Sequence, residues 1–370
     1  MNARIETLRS RVLETGVDAI AVSTPENIYY LTGLDDWSES SGMSSFLVIP
    51  ADPGRGPVHL VVVNYVAPQA ESVVSGDIVV VPADETEAIG ATLREVFQRL
   101  GLQTLAYEDD LRSKYVTSIR AENPGLTLGE TAGIVERLRA TKDAGEIDLI
   151  RTAERTADKV FAFARSILKP GITATAALWE IEKCARELGA SGLSFPTCLL
   201  FGDDTAAIVG DSGDRQLAAG DAVLMDFGLF RDYYSSDMTR TWFVGSVTDE
   251  QRRIYDLVLA ANRAGVAAAR PGITALDLDT AVRGVIADAG YGEEFCHCVG
   301  HGLGLRDHDF TDDLRLVGDL VLEPGMVFSI EPGIYLEGQF GIRVEDIIAI
   351  TEDGCEVLGC EPRELIVLDA

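Results

Sequence analysis

Short apolar runs alternate with amphipathic stretches over the first part of the chain, up to about Arg139. Runs of this length, bounded by turn-forming residues, are typical of buried β-strands. We therefore predict strands over residues 18–22, 46–49, 58–63, 77–81 and 104–107. The intervening stretches have helical spacing, and over residues 85–100 the apolar positions fall on one face. Strands that alternate with helices predict an α/β sheet covered on both faces.

The second part of the chain begins with a long helix and then becomes rich in strands. The helical spacing starts near Lys142 and stops at a Lys-Pro-Gly-Ile-Thr motif that begins at Lys169. A second Pro-Gly-Ile-Thr motif, preceded by Arg270, again follows an Ala-rich helix. The match indicates either chance or an internal repeat, with two halves related by a pseudo-twofold axis. Strands are predicted over residues 222–227, 239–244, 326–330, 341–350 and 365–368.

The length and the change of pattern together predict two domains. A chain of 370 residues is long enough for two, at roughly 100 to 200 residues per domain. The pattern changes near Arg139. We predict an α/β domain over residues 1–139 and an α+β domain over residues 140–370.

An excess of acidic residues is the unusual feature of the composition. The chain has 60 Asp and Glu against 31 Lys and Arg, a formal net charge of −29. Because this charge repels phosphates and anionic headgroups, nucleic acid and membrane surfaces are poor candidate partners. No signal peptide or membrane span is evident, so a cytoplasmic protein is expected. The six cysteines form no Cys-x-x-Cys pair, and we expect reduced, mostly buried thiols.

Four acidic residues of the second domain lie where strands normally carry apolar side chains. Asp226 ends an apolar run, Asp237 precedes a strand, Glu331 follows one and Glu345 interrupts one. A single carboxylate of this kind is simply a strand end that reaches solvent. Four together are costly to bury unless each is paired, hydrogen-bonded or bound to a cation. With His301 in the glycine-flanked segment GHGLG, they indicate a metal site.

Divalent cations would offset the cost of burying these carboxylates. Oxygen-rich ligation with one imidazole suits manganese, cobalt, iron or zinc better than copper, and bridging carboxylates imply two ions. Such a pair polarises a carbonyl and generates hydroxide at neutral pH. The residues therefore predict metal-assisted hydrolysis with two divalent ions of manganese, cobalt, iron or zinc.

At these positions the chain resembles the pita-bread metallohydrolases, a family that includes Xaa-Pro dipeptidase (prolidase), aminopeptidase P, methionine aminopeptidase and the metal-free creatinase. The matching segments are DFGLFRDYYSSDMTRT from Asp226, GHGLGLRDH from Gly300, EPGIY from Glu331 and GIRVED from Gly341. The resemblance implies a dinuclear site with Asp226, Asp237, His301, Glu331 and Glu345 as ligands. Of these, Asp237 and Glu345 would bridge the two ions.

The resemblance extends into the first domain, through PENIYYLTGL from Pro25 and a connecting segment from Arg137. Both are similar to the prolidase and aminopeptidase P branch. That similarity implies a creatinase-type N-terminal domain that contributes to a homodimer and to substrate access. It also suggests that the Ser-rich loop over residues 37–43 reaches the partner subunit's site.

Four further residues acquire roles only through the resemblance. His308 would contact the scissile carbonyl or its oxyanion, and Arg343 would support the ligand carboxylates or the substrate terminus. His297 and Tyr335 would lie beside the metal pocket and contact substrate. From the residues alone, His308 is more simply a solvated loop histidine. Arg343, His297 and Tyr335 are equally well explained as a surface ion pair, a core histidine and a packed aromatic ring.

One position departs from the family pattern. The branch carries a substrate-facing His in a segment of the type S-G-x-N-x-x-x-x-H, and the corresponding stretch here starts at Phe201. Counting back from Gly220 and Asp221 places Val209 at the His position, and Asp204 replaces the usual Asn. A valine can neither move a proton nor hydrogen-bond an intermediate, so the chemistry or the substrate differs here.

The function expected from these features is hydrolysis of the bond before proline in short peptides, as in an Xaa-Pro dipeptidase or aminopeptidase. A metal-bridging hydroxide would attack the carbonyl, and Glu331 would serve as ligand and general base. Val209 keeps open an alternative, a relative that hydrolyses a small non-peptide molecule such as a creatine-like compound or a cyclic amidine. A third reading, a non-catalytic peptide-binding scaffold, fits poorly with a complete ligand set.

Overall fold

The computed structural model describes residues 3–35, 44–84, 89–130 and 133–370. The chain divides into two compact units, Met1–Arg139 and Ala140–Ala370. The loop over residues 37–43 lies outside the described residues, as do residues 85–88 of the predicted 85–100 helix. Within the described ranges, no helix combines the length and the apolar character needed to cross a membrane.

The first unit is a mixed sheet with helices. Its strands are β1 Ala19–Val22, β2 Phe46–Pro50, β3 Val58–Val63, β4 Ile78–Ala83, β5 Thr104–Tyr107 and β6 Thr127–Glu130. Its helices are α1 Ala3–Thr15, α2 Pro25–Thr32, α3 Ala67–Val73, α4 Ile89–Leu100, α5 Ser113–Glu122 and α6 Ile134–Ala140. The strand order is β4-β3-β2-β1-β5-β6, in which β2 pairs antiparallel with both β1 and β3, and the other pairs are parallel.

All five strands expected in this unit are present, but the sequence pattern missed β6. This edge strand has the sequence TLGE and is largely exposed, so it lacks the apolar run that marks a buried strand.

A buried carboxylate anchors α2 to the sheet. Glu108 follows β5 and is almost fully buried. Its Oε2 accepts hydrogen bonds from the backbone N–H groups of Ser23 and Thr24, at 2.7 and 2.8 Å, and its Oε1 accepts one from Asn27 Nδ2 at 2.5 Å. These donors lie at the start of α2, where helical backbone N–H groups lack partners within the helix. The segment PENIYYLTGL is therefore held by its N-terminal end.

The second unit holds four helices and twelve strands within the described residues. The helices are α7 Ala144–Ile167, α8 Ala174–Glu187, α9 Asp249–Ala268 and α10 Ala275–Asp288. The first six strands are β7 Gly192–Leu193, β8 Cys198–Phe201, β9 Ala222–Phe227, β10 Leu229–Arg231, β11 Tyr234–Ser235 and β12 Met238–Val244. The last six are β13 Val327–Ile330, β14 Gly333–Leu336, β15 Phe340–Arg343, β16 Asp346–Ile350, β17 Cys355–Val357 and β18 Val367–Leu368.

Two sheets and two helix pairs organise this unit. The order β18-β12-β9-β8 makes one sheet and β13-β16-β17 another, while β11-β10-β7 and β14-β15 are smaller. One buried apolar cluster combines α7 and α8 with β8, β9 and β12. A second combines α9 and α10 with β13, β15 and β16. Each half of the unit therefore packs its own helix pair against its own strands.

The two Pro-Gly-Ile-Thr motifs make the same contacts in the two halves. Gly171 has a φ of 93° and donates its N–H to Leu217 O at 2.8 Å, while Gly272 has a φ of 87° and donates to Leu322 O at 3.0 Å. The threonine that ends each motif is the N-cap of the next helix, α8 or α10. This correspondence supports an internal repeat over a chance match.

Two expectations are wrong in detail. The strand expected over residues 341–350 is broken into β15 and β16 at Val344 and Glu345, which pair in neither strand. The cysteines are free, as expected, but only Cys198 is buried, whereas Cys296 and Cys360 are exposed. Loop positions explain the exposed thiols, since these two residues lie outside strands and helices.

Candidate metal centre

All five predicted ligands line a cavity of about 270 Å³ in the second unit. Other residues named in the sequence analysis line the same cavity. The full lining is Phe195, Ile208, Val209, Asp226, Asp237, His297, Cys298, His301, Asp307, His308, Glu331, Arg343 and Glu345. Residues more than 100 positions apart in the chain thus meet at one place.

Strand register explains why the two aspartates meet. β9 and β12 are antiparallel, and Thr239 of β12 lies opposite Asp226. Asp237 comes just before β12, so both carboxylates lie at the same end of this strand pair. The same register argument applies to the glutamates, because Ile330 of β13 lies opposite Asp346 of β16.

Glu331 directly follows Ile330 at the end of β13, and Glu345 directly precedes Asp346 at the start of β16. Because the chain breaks between β15 and β16, Glu345 is not part of the ladder of either strand. Glu345 is almost fully buried, and its Oε2 accepts a hydrogen bond from Thr239 Oγ1 at 2.6 Å.

The glycines that flank His301 are required by close backbone approach. A Cβ at Gly300 would lie 2.0 Å from Ser329 O, and one at Gly302 would lie 2.0 Å from Asp309 O. The His301 ring has Nδ1 at 3.0 Å from Gly302 O. Its other nitrogen, Nε2, faces the acidic cluster.

Two carboxylates face this ring nitrogen. His301 Nε2 lies 3.3 Å from Asp237 Oδ2 and 3.5 Å from Glu331 Oε1. Because Nδ1–H is donated to the carbonyl, Nε2 is the nitrogen that would bind a metal once it has lost its own proton.

Burial and mutual repulsion strongly disfavour the charged forms of these acids. Burial raises the pKa of Asp237 to about 7, and it raises the pKa values of Glu331 and Glu345 as well. Burial alone would lower the pKa of His301, but the hydrogen bond to Asp237 and the charge of Glu331 outweigh it and raise that pKa to about 9. The folded cluster is therefore stabilised by the uptake of protons or by the binding of cations.

The donor set fits a divalent cation. Ligand atoms of Asp237, His301 and Glu345 all lie within 4.8 Å of one another. Donors to a common ion at 2.0–2.2 Å stand roughly 3 to 4 Å apart, so only small side-chain movements would be needed. Asp226 Oδ1 is buried and has no hydrogen-bond partner among the described residues, which leaves it available to an ion.

Arg343 connects two of the candidate ligands, Asp226 and Glu345. Its side chain is almost fully buried, so it is not part of a surface ion pair. NH2 donates to Asp226 Oδ2 at 2.5 Å, and Nε donates to Thr239 Oγ1 at 3.0 Å. Thr239 in turn donates to Glu345. One guanidinium therefore orients Asp226 directly and Glu345 through a threonine hydroxyl.

A hydrogen-bonded chain joins Arg343, Tyr335 and His297. Arg343 NH1 donates to Tyr335 Oη at 2.8 Å, and Tyr335 Oη lies 2.8 Å from His297 Nε2. His297 Nδ1 lies 2.7 Å from Cys298 O, so Nδ1 carries the proton and Tyr335 donates to Nε2. Burial, followed by the Arg343 charge, lowers the pKa of His297 to about 4. The imidazole is therefore neutral and fixed in one tautomer.

His308 and Val209 lie at the rim of the cavity. The His308 ring stacks on the His301 ring, with centroids 3.8 Å apart, and its side chain is 45% exposed. Its Nδ1 is 3.5 Å from Asp312 Oδ1, on the solvent side. Val209 is 69% exposed and follows Ile208, whose φ of 73° is unusual for a β-branched residue. The rim therefore carries an apolar side chain at the position where the resemblance leads us to expect a histidine.

Sequence reasoning missed two residues that contact the ligands. The sequence does not distinguish Thr239 from its neighbours in the predicted strand, although it bridges Arg343 and Glu345. Glu154 was not singled out, although its Oε1 accepts the backbone N–H of Asp237 at 2.8 Å. The signal for Glu154 was present, because it interrupts the apolar face of α7 between Ala153 and Ala157.

Comparison with known families finds two matches along this chain. The profile of the Creatinase/Prolidase N-terminal domain matches residues 4–141, and that of Metallopeptidase family M24 matches residues 148–352. An uncharacterized peptidase of Staphylococcus aureus strain bovine RF122 / ET3-1, SAB1567, is 35% identical over 345 residues, which cover 92% of this chain and 94% of that protein.

Solved structures extend the similarity to the whole chain. The Xaa-Pro dipeptidase from Bacillus anthracis has a TM-score of 0.90 and 32% identity, covering 99% of both chains. The prolidase from Pyrococcus horikoshii OT3 has a TM-score of 0.89 and 29% identity, covering 99% of this chain and 100% of that one.

Proposed function

The chain belongs to metallopeptidase family M24, and we propose that it is an Xaa-Pro dipeptidase or aminopeptidase that hydrolyses the bond before proline in short peptides. The observation that carries the proposal is the cavity lined by all five candidate ligands, three of which have donor atoms within 4.8 Å of one another. The similarity to solved structures of an Xaa-Pro dipeptidase and a prolidase supports the choice of substrate class.

The proposed cofactor is a pair of divalent ions, manganese first and cobalt, zinc or iron as alternatives. Asp226, Asp237, His301, Glu331 and Glu345 would hold them, with Asp237 and Glu345 shared between the ions. Bound there, such ions supply Lewis acidity and activate water near neutral pH. Four carboxylates and one imidazole suit hard or borderline ions.

Glu331 is the proposed general base. Its carboxyl lines the cavity beside the other candidate ligands, where an attacking water would be held. Ser329 Oγ donates to its Oε1 at 3.3 Å, so the carboxyl is held toward the cavity. We propose that it accepts the proton of the attacking water and passes it to the leaving proline nitrogen.

Two further side chains have proposed roles at the substrate. His308 lies at the rim and would donate to the developing oxyanion after a small rotation from Asp312. The guanidinium of Arg343 keeps Asp226 in place and, through Tyr335, the ring of His297. His297, whose ring faces the cavity, would contact substrate.

Hydrolysis of matched dipeptides tests the substrate class. We expect the Mn²⁺-loaded protein to hydrolyse Leu-Pro and Ala-Pro faster than Leu-Ala and Ala-Ala, and the chelated protein to hydrolyse none of them. Release of the free C-terminal amino acid, proline or alanine, followed over time by chromatography, is the measurement. A loaded protein that leaves every Xaa-Pro dipeptide intact and hydrolyses a creatine-like compound instead would favour the small-molecule alternative.

Restoring a histidine at the rim tests whether the site has simply lost a proton-transfer group. We expect Val209→His to raise kcat on Leu-Pro by about tenfold, because a positioned general acid or base contributes at least that much. Val209→Leu is the matched control, since it changes size without adding a titratable group, and it should leave kcat within about twofold. A Val209→His rate at or below that of the unaltered protein would show that the pocket suits a different substrate.

We also propose a homodimer, because the first unit matches a domain that accompanies this peptidase domain in the prolidase branch. Sedimentation equilibrium at micromolar concentration should give twice the mass of the chain. A single-chain mass throughout would contradict this assembly.

A further inference from the structure

A buried carboxyl group contacts the backbone of a candidate ligand and does not belong to the lining of the cavity. Glu154 belongs to α7 and is 0% exposed. Its neighbours on the same helix face, Ile150, Ala153 and Ala157, are apolar and equally buried. The loop that follows β17 closes over it, since a Cβ on Gly359 would lie 3.4 Å from Glu154 Oε2. Solvent therefore has no part in satisfying this group.

Among the described residues Glu154 makes one hydrogen bond, and that bond goes to a candidate ligand. Its Oε1 accepts the backbone N–H of Asp237 at 2.8 Å. Its Oε2 is buried and has no hydrogen-bond partner in the part of the chain that the structure describes. Burying a polar group with one atom unsatisfied destabilises the folded chain. An apolar residue would fill this position without that cost.

The backbone of Asp237 needs an external acceptor because it lies between strands. Pairing of β12 with β9 begins at Met238, so the Asp237 N–H is not part of the ladder. The segment reaches this point from a tight turn at Asp232 and Tyr233, where both φ angles are positive, at 51° and 72°. Orientation of the Asp237 side chain therefore depends on how its own peptide group is held.

We propose that Glu154 is a positioning residue, which fixes the Asp237 peptide so that the Asp237 carboxylate faces His301 and Glu345. This inference rests on the proposed role of Asp237 as a metal ligand. Partners that orient ligands from behind typically change metal affinity by about 10- to 100-fold when removed. The effect of Glu154 should therefore appear in metal binding and not only in stability.

The same helix provides a matched control in Asp158. This carboxylate lies one turn after Glu154, and its oxygens accept the backbone N–H groups of Cys360 and Glu361 at 2.7 to 3.0 Å. Asp158 thus accepts backbone N–H groups of the segment after β17, as Glu154 accepts the backbone N–H of Asp237. The segment it holds carries none of the candidate ligands.

Cobalt titration of metal-free variants tests the proposal, because the visible absorption of Co²⁺ reports both affinity and ligand geometry. Glu154→Leu and Glu154→Ala should bind Co²⁺ about 10- to 100-fold more weakly than the unaltered protein, with an altered visible spectrum. Glu154→Gln keeps the acceptor oxygen, and its Co²⁺ affinity should stay within about threefold of that of the unaltered protein. Asp158→Ala should lower the melting temperature of the metal-free protein but leave Co²⁺ affinity unchanged.

Two results would overturn the role of Glu154 while leaving the proposed metal centre intact. One is Co²⁺ binding by both apolar variants with unaltered affinity and spectrum, whatever their melting temperatures, which would make Glu154 a purely structural residue. The other is a loss in Glu154→Gln as large as in Glu154→Leu, since the acceptor would then not be the cause. If the unaltered protein binds none of Mn²⁺, Co²⁺, Zn²⁺ and Fe²⁺, the proposed metal centre itself fails and the role of Glu154 fails with it.

Discussion

Replacing Asp237 by Asn is expected to abolish hydrolysis and to weaken metal binding at the same time. Asp237 is buried at the centre of the cluster, with its Oδ2 at 3.3 Å from His301 Nε2 and its donor atoms close to those of Glu345. Loss of a carboxylate shared by two ions removes several kcal/mol of charge stabilisation, so kcat should fall by at least about 10³-fold. Glu345→Gln should behave in the same way. Dipeptide hydrolysis and metal content, measured on the same samples, check this result.

Stability of the metal-free variants separates this explanation from simple unfolding. Because burial and neighbouring charge penalise the ionised forms of Asp237 and Glu345, an amide at either position relieves repulsion. The metal-free Asn and Gln variants should therefore melt at or above the temperature of the metal-free unaltered protein. Substantial activity in either variant would contradict the assignment of these two residues as shared ligands.

Removal of metal is expected to destabilise the second unit, and more so as the pH rises. An ion present at about 1,000 times its dissociation constant contributes roughly 4 kcal/mol, which corresponds to about 10 °C in melting temperature for a unit of this size. Chelation removes this contribution and exposes the repulsion within the cluster. Differential scanning calorimetry of the chelated and Mn²⁺-loaded protein at several pH values checks both effects.

The direction of the pH effect follows from the raised pKa values. The carboxyls of Asp237, Glu331 and Glu345 hold protons in the folded metal-free chain at pH values where they have lost them in the unfolded chain. Stability of the metal-free protein therefore falls as pH rises from about 4, the usual carboxyl pKa, through about 7, the pKa of Asp237. His301, with a pKa raised to about 9, adds stability below about 6.5 that is lost as pH rises through 9.

Metal binding should reverse this dependence, because the bound ions replace the protons. The chelated protein is expected to melt lower at pH 8 than at pH 6, while the loaded protein keeps its melting temperature or gains between these values. Equal pH dependence in the two samples would mean that the acidic cluster does not bind the ions.

Most of the acidic cluster could be predicted from the sequence because buried strands rarely carry carboxylates. Asp226 and Glu345 stand out within apolar runs, and the glycines around His301 mark a close backbone approach. The strands of the first unit were equally evident, except for the exposed edge strand β6. These signals are local, so a single sequence is enough to show them.

Contacts made across the fold were harder to foresee. Arg343 could be read as a surface ion pair until strand pairing placed it beside Asp226, and Thr239 had no local mark at all. Glu154 is separated from Asp237 by 83 positions, and nothing in either segment indicates that they meet. The break at Glu345 was also missed, since its flanking residues continue an apolar strand pattern. Such features depend on register and helix packing, which are tertiary properties.

The central claim is that the acidic cluster holds a pair of catalytic divalent ions, and metal content tests it most directly. The protein should be loaded with Mn²⁺, freed of excess ion by gel filtration and assayed for metal by mass spectrometry, beside Asp237→Asn treated in the same way. We expect about two Mn²⁺ per chain in the unaltered protein, as required for a dinuclear site, and less than one in the variant. An unaltered protein that retains no Mn²⁺, Co²⁺, Zn²⁺ or Fe²⁺, or a variant that retains as much as the unaltered protein, would contradict the account.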